Sequence, residues 1–101
     1  MTASMLIGGG PCRSAAFLQQ ELRHQGINAD VHDGYGLALV SVWVGLVVWC
    51  DGRRFCWRTG WNPDHHRVIY AWHPASDPLG AARRVAMRYA ELRSRQASES
   101  S

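Results

Sequence analysis

Asp51-Gly52 stands between two runs rich in β-branched and aromatic residues, Leu46-Val47-Val48-Trp49-Cys50 and Arg53-Arg54-Phe55-Cys56-Trp57-Arg58-Thr59. An aspartate-glycine pair in that setting is the strongest short-range signal of a β-hairpin, because glycine tolerates the positive φ that the turn requires. A two-residue turn there sets Cys50 opposite Arg53 and Val47 opposite Cys56. Strand alternation then puts Val44, Leu46 and Val48 on one face with Phe55, Trp57 and Thr59, and Val47 and Trp49 on the other with Arg54, Cys56 and Arg58. The first set reads as core and the second as a tryptophan and arginine surface. Trp43 joins that surface only if no irregularity at Gly45 flips the register. Leu37–Cys50 is long for one strand, so Gly45 is expected to mark a bulge, a sharp bend or a turn into a new strand.

The flanks read as helices. Ser14 can cap a helix to about residue 25, with Ala15, Leu18 and Leu22 at helical spacing and Phe17 beside them. Gly26 ends it, and the apolar Ile27 directly after the glycine is what a Schellman stop uses. At the other end Asp77-Pro78 pairs a capping side chain with proline at the first helical position. The helix it starts runs to about Arg95, with Ala82, Val85, Ala86, Tyr89 and Leu92 as the buried stripe. Arg84, Arg88, Glu91 and Arg95 are expected on its solvent side, with Glu91 and Arg95 paired. Between the helices, Asn28 to Asp33 reads as an edge strand, Gly60 to His66 as a loop, and Arg67 to Trp72 as a strand with Val68, Tyr70 and Trp72 on one side.

The expected fold is therefore α+β: an N-terminal helix, an antiparallel sheet of about three to five strands around the Asp-Gly hairpin, and a C-terminal helix, with both helices on one face. Residues 1–12, with Gly8-Gly9-Gly10-Pro11, read as a flexible lead-in, residues 13–96 as one domain, and residues 97–101 as a disordered tail. With 101 residues, 47 % of them hydrophobic, there is material for one core and no second domain.

Several function classes are disfavoured. The apolar stretch Leu37–Cys50 is broken by Ser41 and Gly45 and stops at Asp51, short of the roughly 18 residues of a membrane helix. Met1 to Ile7 lacks the basic start of a secretory signal, so a cytoplasmic location is expected. Cys50, Cys56, His65, His66 and His73 include zinc-type ligands, yet there is no Cys-x-x-Cys and no helical histidine pair, so no metal or other cofactor is expected. The three cysteines read as reduced thiols. No nucleophile stands in an elbow or glycine-rich context, so the chain does not read as an enzyme.

Trp49, Arg54 and Arg58, with Trp43 if the register allows, are the candidate interface, since tryptophan and arginine concentrate in binding hot spots. The plain alternative is that Arg54 merely stacks over Trp49 and covers it. As an interface, the face suits a protein partner, either a second copy of the chain as a homo-oligomer or a larger protein, and the module reads as regulatory. The alternative is RNA or DNA, bound by that face together with Arg83, Arg84 and Arg88 of the last helix. A net charge of +3 permits such a partner without requiring one. All eleven positive residues are arginine, which points to the codon usage of a high-GC bacterium.

The helix, sheet, helix order, with Ala81-Ala82-Arg83-Arg84-Val85-Ala86 at a helix start, resembles double-stranded RNA-binding domains. The resemblance covers that order and those residues. The chain departs from the family in having no lysine cluster there and in inserting an aromatic loop and strand before the helix, and no binding residue is carried across. A tryptophan-rich hairpin between helices is also similar in general look to several small actinobacterial proteins.

Overall fold

The structure, a computed structural model, describes residues 11–34 and 36–100. Helix α1 spans Pro11–His24, strands β1 Asp30–Gly34, β2 Leu37–Trp43, β3 Leu46–Cys50, β4 Arg54–Asn62 and β5 Arg67–Pro74 follow, and helix α2 spans Pro78–Ser100. The five strands form one antiparallel meander in the order β1-β2-β3-β4-β5. Both helices lie on one face of the sheet, so the fold is the expected α+β arrangement.

α1 begins at Pro11, where a proline at the first helical turn loses no hydrogen bond, rather than after Ser14. Pro11 and Cys12 thus belong to the helix, and the rest of the expected lead-in lies outside the described residues. Its end is the Schellman motif. Gly26, at φ 80°, donates to the Arg23 carbonyl at 2.9 Å, and Ile27 donates to that of Leu22 at 3.0 Å. That geometry folds Ile27 back into the core beside Leu22.

α2 begins as expected. Asp77 Oδ1 accepts from Gly80 N at 3.1 Å, Pro78 opens the first turn, and Ala81 N donates to the Asp77 carbonyl at 3.1 Å. Gly80 is needed for room, because a Cβ there would collide with Asp77 Oδ2 and come 2.7 Å from His73 Nε2. The helix continues through Ala97 to Ser100, where a disordered tail is expected, since no glycine or proline stops it.

The core lies between the sheet and the helices. Ala38, Val40, Leu46, Val48, Phe55 and Trp57 of the sheet meet Ala15, Leu18 and Leu22 of α1 and Ala81, Ala82 and Val85 of α2. Strand alternation sends the intervening residues to the opposite face, which neither helix covers.

The hairpin differs from the expected one in its turn. Asp51 Oδ1 accepts from the backbone N–H groups of Arg53 at 2.9 Å and Arg54 at 3.0 Å, and Gly52 takes a φ of 95°. That side-chain turn lengthens the loop, so Cys50 faces Phe55, Trp49 faces Cys56 and Val48 faces Trp57. The register is displaced by two residues from a two-residue turn, and an even displacement leaves every side chain on its expected face. Cys50 and Cys56 do fall on opposite faces, and all three thiols are free.

Two irregularities change other assignments. Val44 and Gly45, at φ 80°, turn the chain from β2 into β3, so Val44 is 81 % exposed at the turn instead of in the core. The register also shifts between Ser41 and Trp43, which brings Trp43 opposite the buried Leu46. A second shift between Arg58 and Gly60 carries β4 on to Asn62, into the stretch expected as loop. The remaining turn is closed by Asn62 Oδ1, which accepts from Asp64 N at 3.0 Å and His65 N at 3.3 Å.

Candidate functional site

Across the middle of the uncovered face, the pairings set His32, Leu39, Trp49, Cys56 and Trp72 side by side, one from each strand. On the row beside it Asp30 pairs with Ser41, Ser41 with Val47, and Arg58 with Tyr70. Trp49, the middle residue of that first row, is on the central strand. This face of an antiparallel sheet ordinarily alternates toward polar side chains. Here Leu37, Trp49, Tyr70 and Trp72 are exposed by 48, 40, 48 and 56 % respectively.

The aromatic groups are arranged around the small Cys56 side chain. Trp49 leans across to Tyr70, with ring centroids 5.6 Å apart and planes tilted by 37°. Arg54 lies over Trp72, its Cζ 5.7 Å from the ring centroid. The plain alternative, in which Arg54 stacks over Trp49, is not the arrangement found: β5 lies beside β4 and offers Trp72 to the guanidinium, and Trp49 stays 40 % exposed. Leu37, Trp49, Asp51, Arg54 and Cys56 line a shallow depression of about 290 Å³, and Leu37 continues into a second of about 240 Å³ with His32, Asp33, Gly34 and Leu39. Backbone N–H groups of Arg53 and Arg54 hold the Asp51 carboxyl below its ordinary pKa, so a negative charge persists at this rim.

Of the four candidate interface residues, the structure brings Trp49, Arg54 and Arg58 together on this face. Trp43 lies on the other side, edge-on to Tyr89 at 5.6 Å and beneath Arg93 at 5.0 Å, because of the irregularity after Ser41. Tyr70 and Trp72 are the members that the hairpin pattern alone does not include. Their period-two spacing with Val68 marks them as sharing one side of a strand, but only the β4–β5 pairing says which side.

The arginines of α2 are on the opposite side of the molecule. Arg84 sits over the core Trp57 at 5.1 Å and donates to the Trp72 carbonyl at 2.7 Å, with His73 Nδ1 3.2 Å away. His73 Nε2 in turn pairs with Asp77 at 2.9 Å, which with the Gly80 N–H holds that carboxyl below its usual range. Arg88 is not on the solvent side: its side chain is 13 % exposed, Nη1 lies 3.3 Å from Glu91, and Nε is buried without a partner among the described residues. Glu91 thus pairs one turn back with Arg88 instead of forward with Arg95. Arg83, Arg84 and Arg88 therefore form no joint surface with Trp49, Arg54 and Arg58.

Among the described residues, no three His, Cys, Asp or Glu side chains come together as a metal site requires. No helix formed by those residues is long and apolar enough to cross a membrane. Compared with known proteins, the chain matches no family model, no curated protein and no solved structure.

Proposed function

We propose that the protein is a small non-catalytic interaction module, regulatory in role, that docks through the uncovered sheet face and self-associates there. The carrying observation is the set of exposed large apolar side chains on that face, Leu37, Trp49, Tyr70 and Trp72, which water solvates poorly. Aromatic side chains with nearby arginines are also the composition that dominates binding energy in interfaces. Five strands at about 4.8 Å spacing and about 20 Å of length give a footprint of roughly 500 Å². A face-to-face pair would then remove roughly 1,000 Å², the lower limit for a specific interface.

That size goes with affinity in about the micromolar range, suited to assembly that responds to concentration. Charge on the face is mixed, Asp30 and Asp51 with Arg54 and Arg58, which fits protein better than a polyanion. The reduced thiols fit a reducing compartment such as the cytoplasm. Sedimentation velocity over a concentration series tests the reading: the coefficient is expected to rise from monomer toward dimer. A monomer at every concentration, up to about millimolar, contradicts self-association.

A further inference from the structure

The charges of the uncovered face are laid out unevenly. Asp30 is on the edge strand β1, while Arg54 and Arg58 are on β4. Val48 faces Trp57, so the next residues, Val47 and Arg58, stand level, and Asp30, Ser41, Val47, Arg58 and Tyr70 form one row. Among the described residues, the ion pairs are His24–Glu21, His73–Asp77 and Arg88–Glu91, and neither Asp30 nor Arg58 takes part in one. Three strand spacings, about 14 Å, separate them, beyond the reach of a contact within one chain.

Resting on the reading that this face is the docking surface, we infer that two copies stack sheet on sheet about a two-fold axis running along β3 between them. Such an axis exchanges left and right across the sheet and keeps the level along the strand. β3 then covers its own copy with Trp49 at the axis, β2 covers β4, and β1 covers β5. Asp30 comes down over the partner's Tyr70 and beside the partner's Arg58, and symmetry makes that contact twice. At the roughly 30° crossing at which twisted sheets stack, β3 lies about 15° off the axis, and the resulting displacement at the outer strands is one an arginine side chain spans.

The charge layout discriminates between this axis and the other in-plane choice. A two-fold axis across the strands lays β4 on β4 with direction reversed, placing Arg54 over the partner's Arg58 and the reverse. That sets two guanidinium groups against each other at each of two desolvated spots, which like-charge repulsion opposes. The axis along β3 instead sets β4 over the neutral Leu37, Leu39 and Ser41 of β2, with the partner's Asp30 alongside; Asp51, at the hairpin end of β3, then meets the partner's Asp51, with each chain's Arg54 beside its own Asp51 to offset the pair.

Charge exchange tests the arrangement. Asp30→Arg and Arg58→Asp are made separately, and sedimentation equilibrium compares the wild type, each variant and their equimolar mixture. Each variant alone places like charges at both contacts and is expected to weaken association roughly tenfold or more. In a mixed pair both contacts again join opposite charges, one between the two substituted side chains and the other between the unaltered Asp30 and Arg58. The mixture is therefore expected to associate as the wild type does. Recovery in the mixture also shows that both variants are folded. If the wild type associates but neither variant is weakened, or the mixture does not recover, this arrangement is overturned and the docking face stands. A monomeric wild type overturns both.

Discussion

Trp49→Glu is expected to abolish self-association while leaving the monomer folded. Trp49 is the middle residue of the row across the central strand, 40 % exposed, and its ring contact is with Tyr70 on the same uncovered face. Losing that contact removes about 0.5–1.5 kcal/mol from the monomer. In a pair of stacked sheets, however, the ring becomes central and desolvated, where truncating a hot-spot residue costs about 2 kcal/mol or more, roughly 30-fold in Kd. The carboxylate, with Arg54 and Arg58 as diagonal neighbours on β4, stays solvated in the monomer and adds the cost of its own desolvation on docking. Sedimentation equilibrium beside a thermal melt separates the effects: dimer lost, with a cooperative melt retained and its midpoint lowered by roughly 2–12 °C. Association as tight as in the unmodified chain would remove Trp49 from the interface.

Trp57→Ala is expected to do the reverse. Trp57 is on the adjacent level of the same hairpin, opposite Val48 and Ala71, but on the helix side and only 2 % exposed. Removing a buried tryptophan costs about 3–5 kcal/mol. That is a large part of the roughly 5–15 kcal/mol that holds a domain of this size. Arg84 would also lose the ring on which it rests, and with it the support for its bond to the Trp72 carbonyl. At about 4–8 °C per kcal/mol, the midpoint falls by more than about 12 °C by circular dichroism. A change of a few degrees would show that the sheet and helices do not depend on this side chain.

These two tryptophans also show how much could be read from residue order. Alternation within one strand sorts faces reliably, because the side-chain period is two and a turn that lengthens the loop by two residues preserves it. Trp49, Arg54 and Arg58 therefore came out on the uncovered face and Phe55 and Trp57 in the core, even though the turn chemistry of Asp51 differed from the two-residue form. Irregularities defeat the same reasoning. A single displaced residue after Ser41 sends Trp43 to Tyr89 and Arg93, and another after Arg58 sets Trp61 opposite Val68. Gly45 and Gly60 stand near them, but a glycine marks an irregularity without saying which neighbouring residue is displaced.

Contacts between distant elements were harder still. That Arg54 lies over Trp72 follows from β5 pairing with β4, and residue spacing gives no hint of which strands are neighbours. Arg84 and Arg88 look like a solvated basic face by helical period. The core Trp57 ring draws Arg84 in, while Arg88 tucks its stem against the molecule toward Glu91. The caps, by contrast, are local chemistry. Gly26-Ile27 and Asp77-Pro78 behaved as their residues require.

Hydroxyl-radical footprinting of the unmodified chain at rising protein concentration examines the uncovered face itself. Modification of Trp49, Tyr70 and Trp72 should fall as copies pair, while that of Met87, exposed on α2, stays constant. Protection of Met87 with the three sheet aromatics unchanged would place any docking on the helices and contradict the assignment.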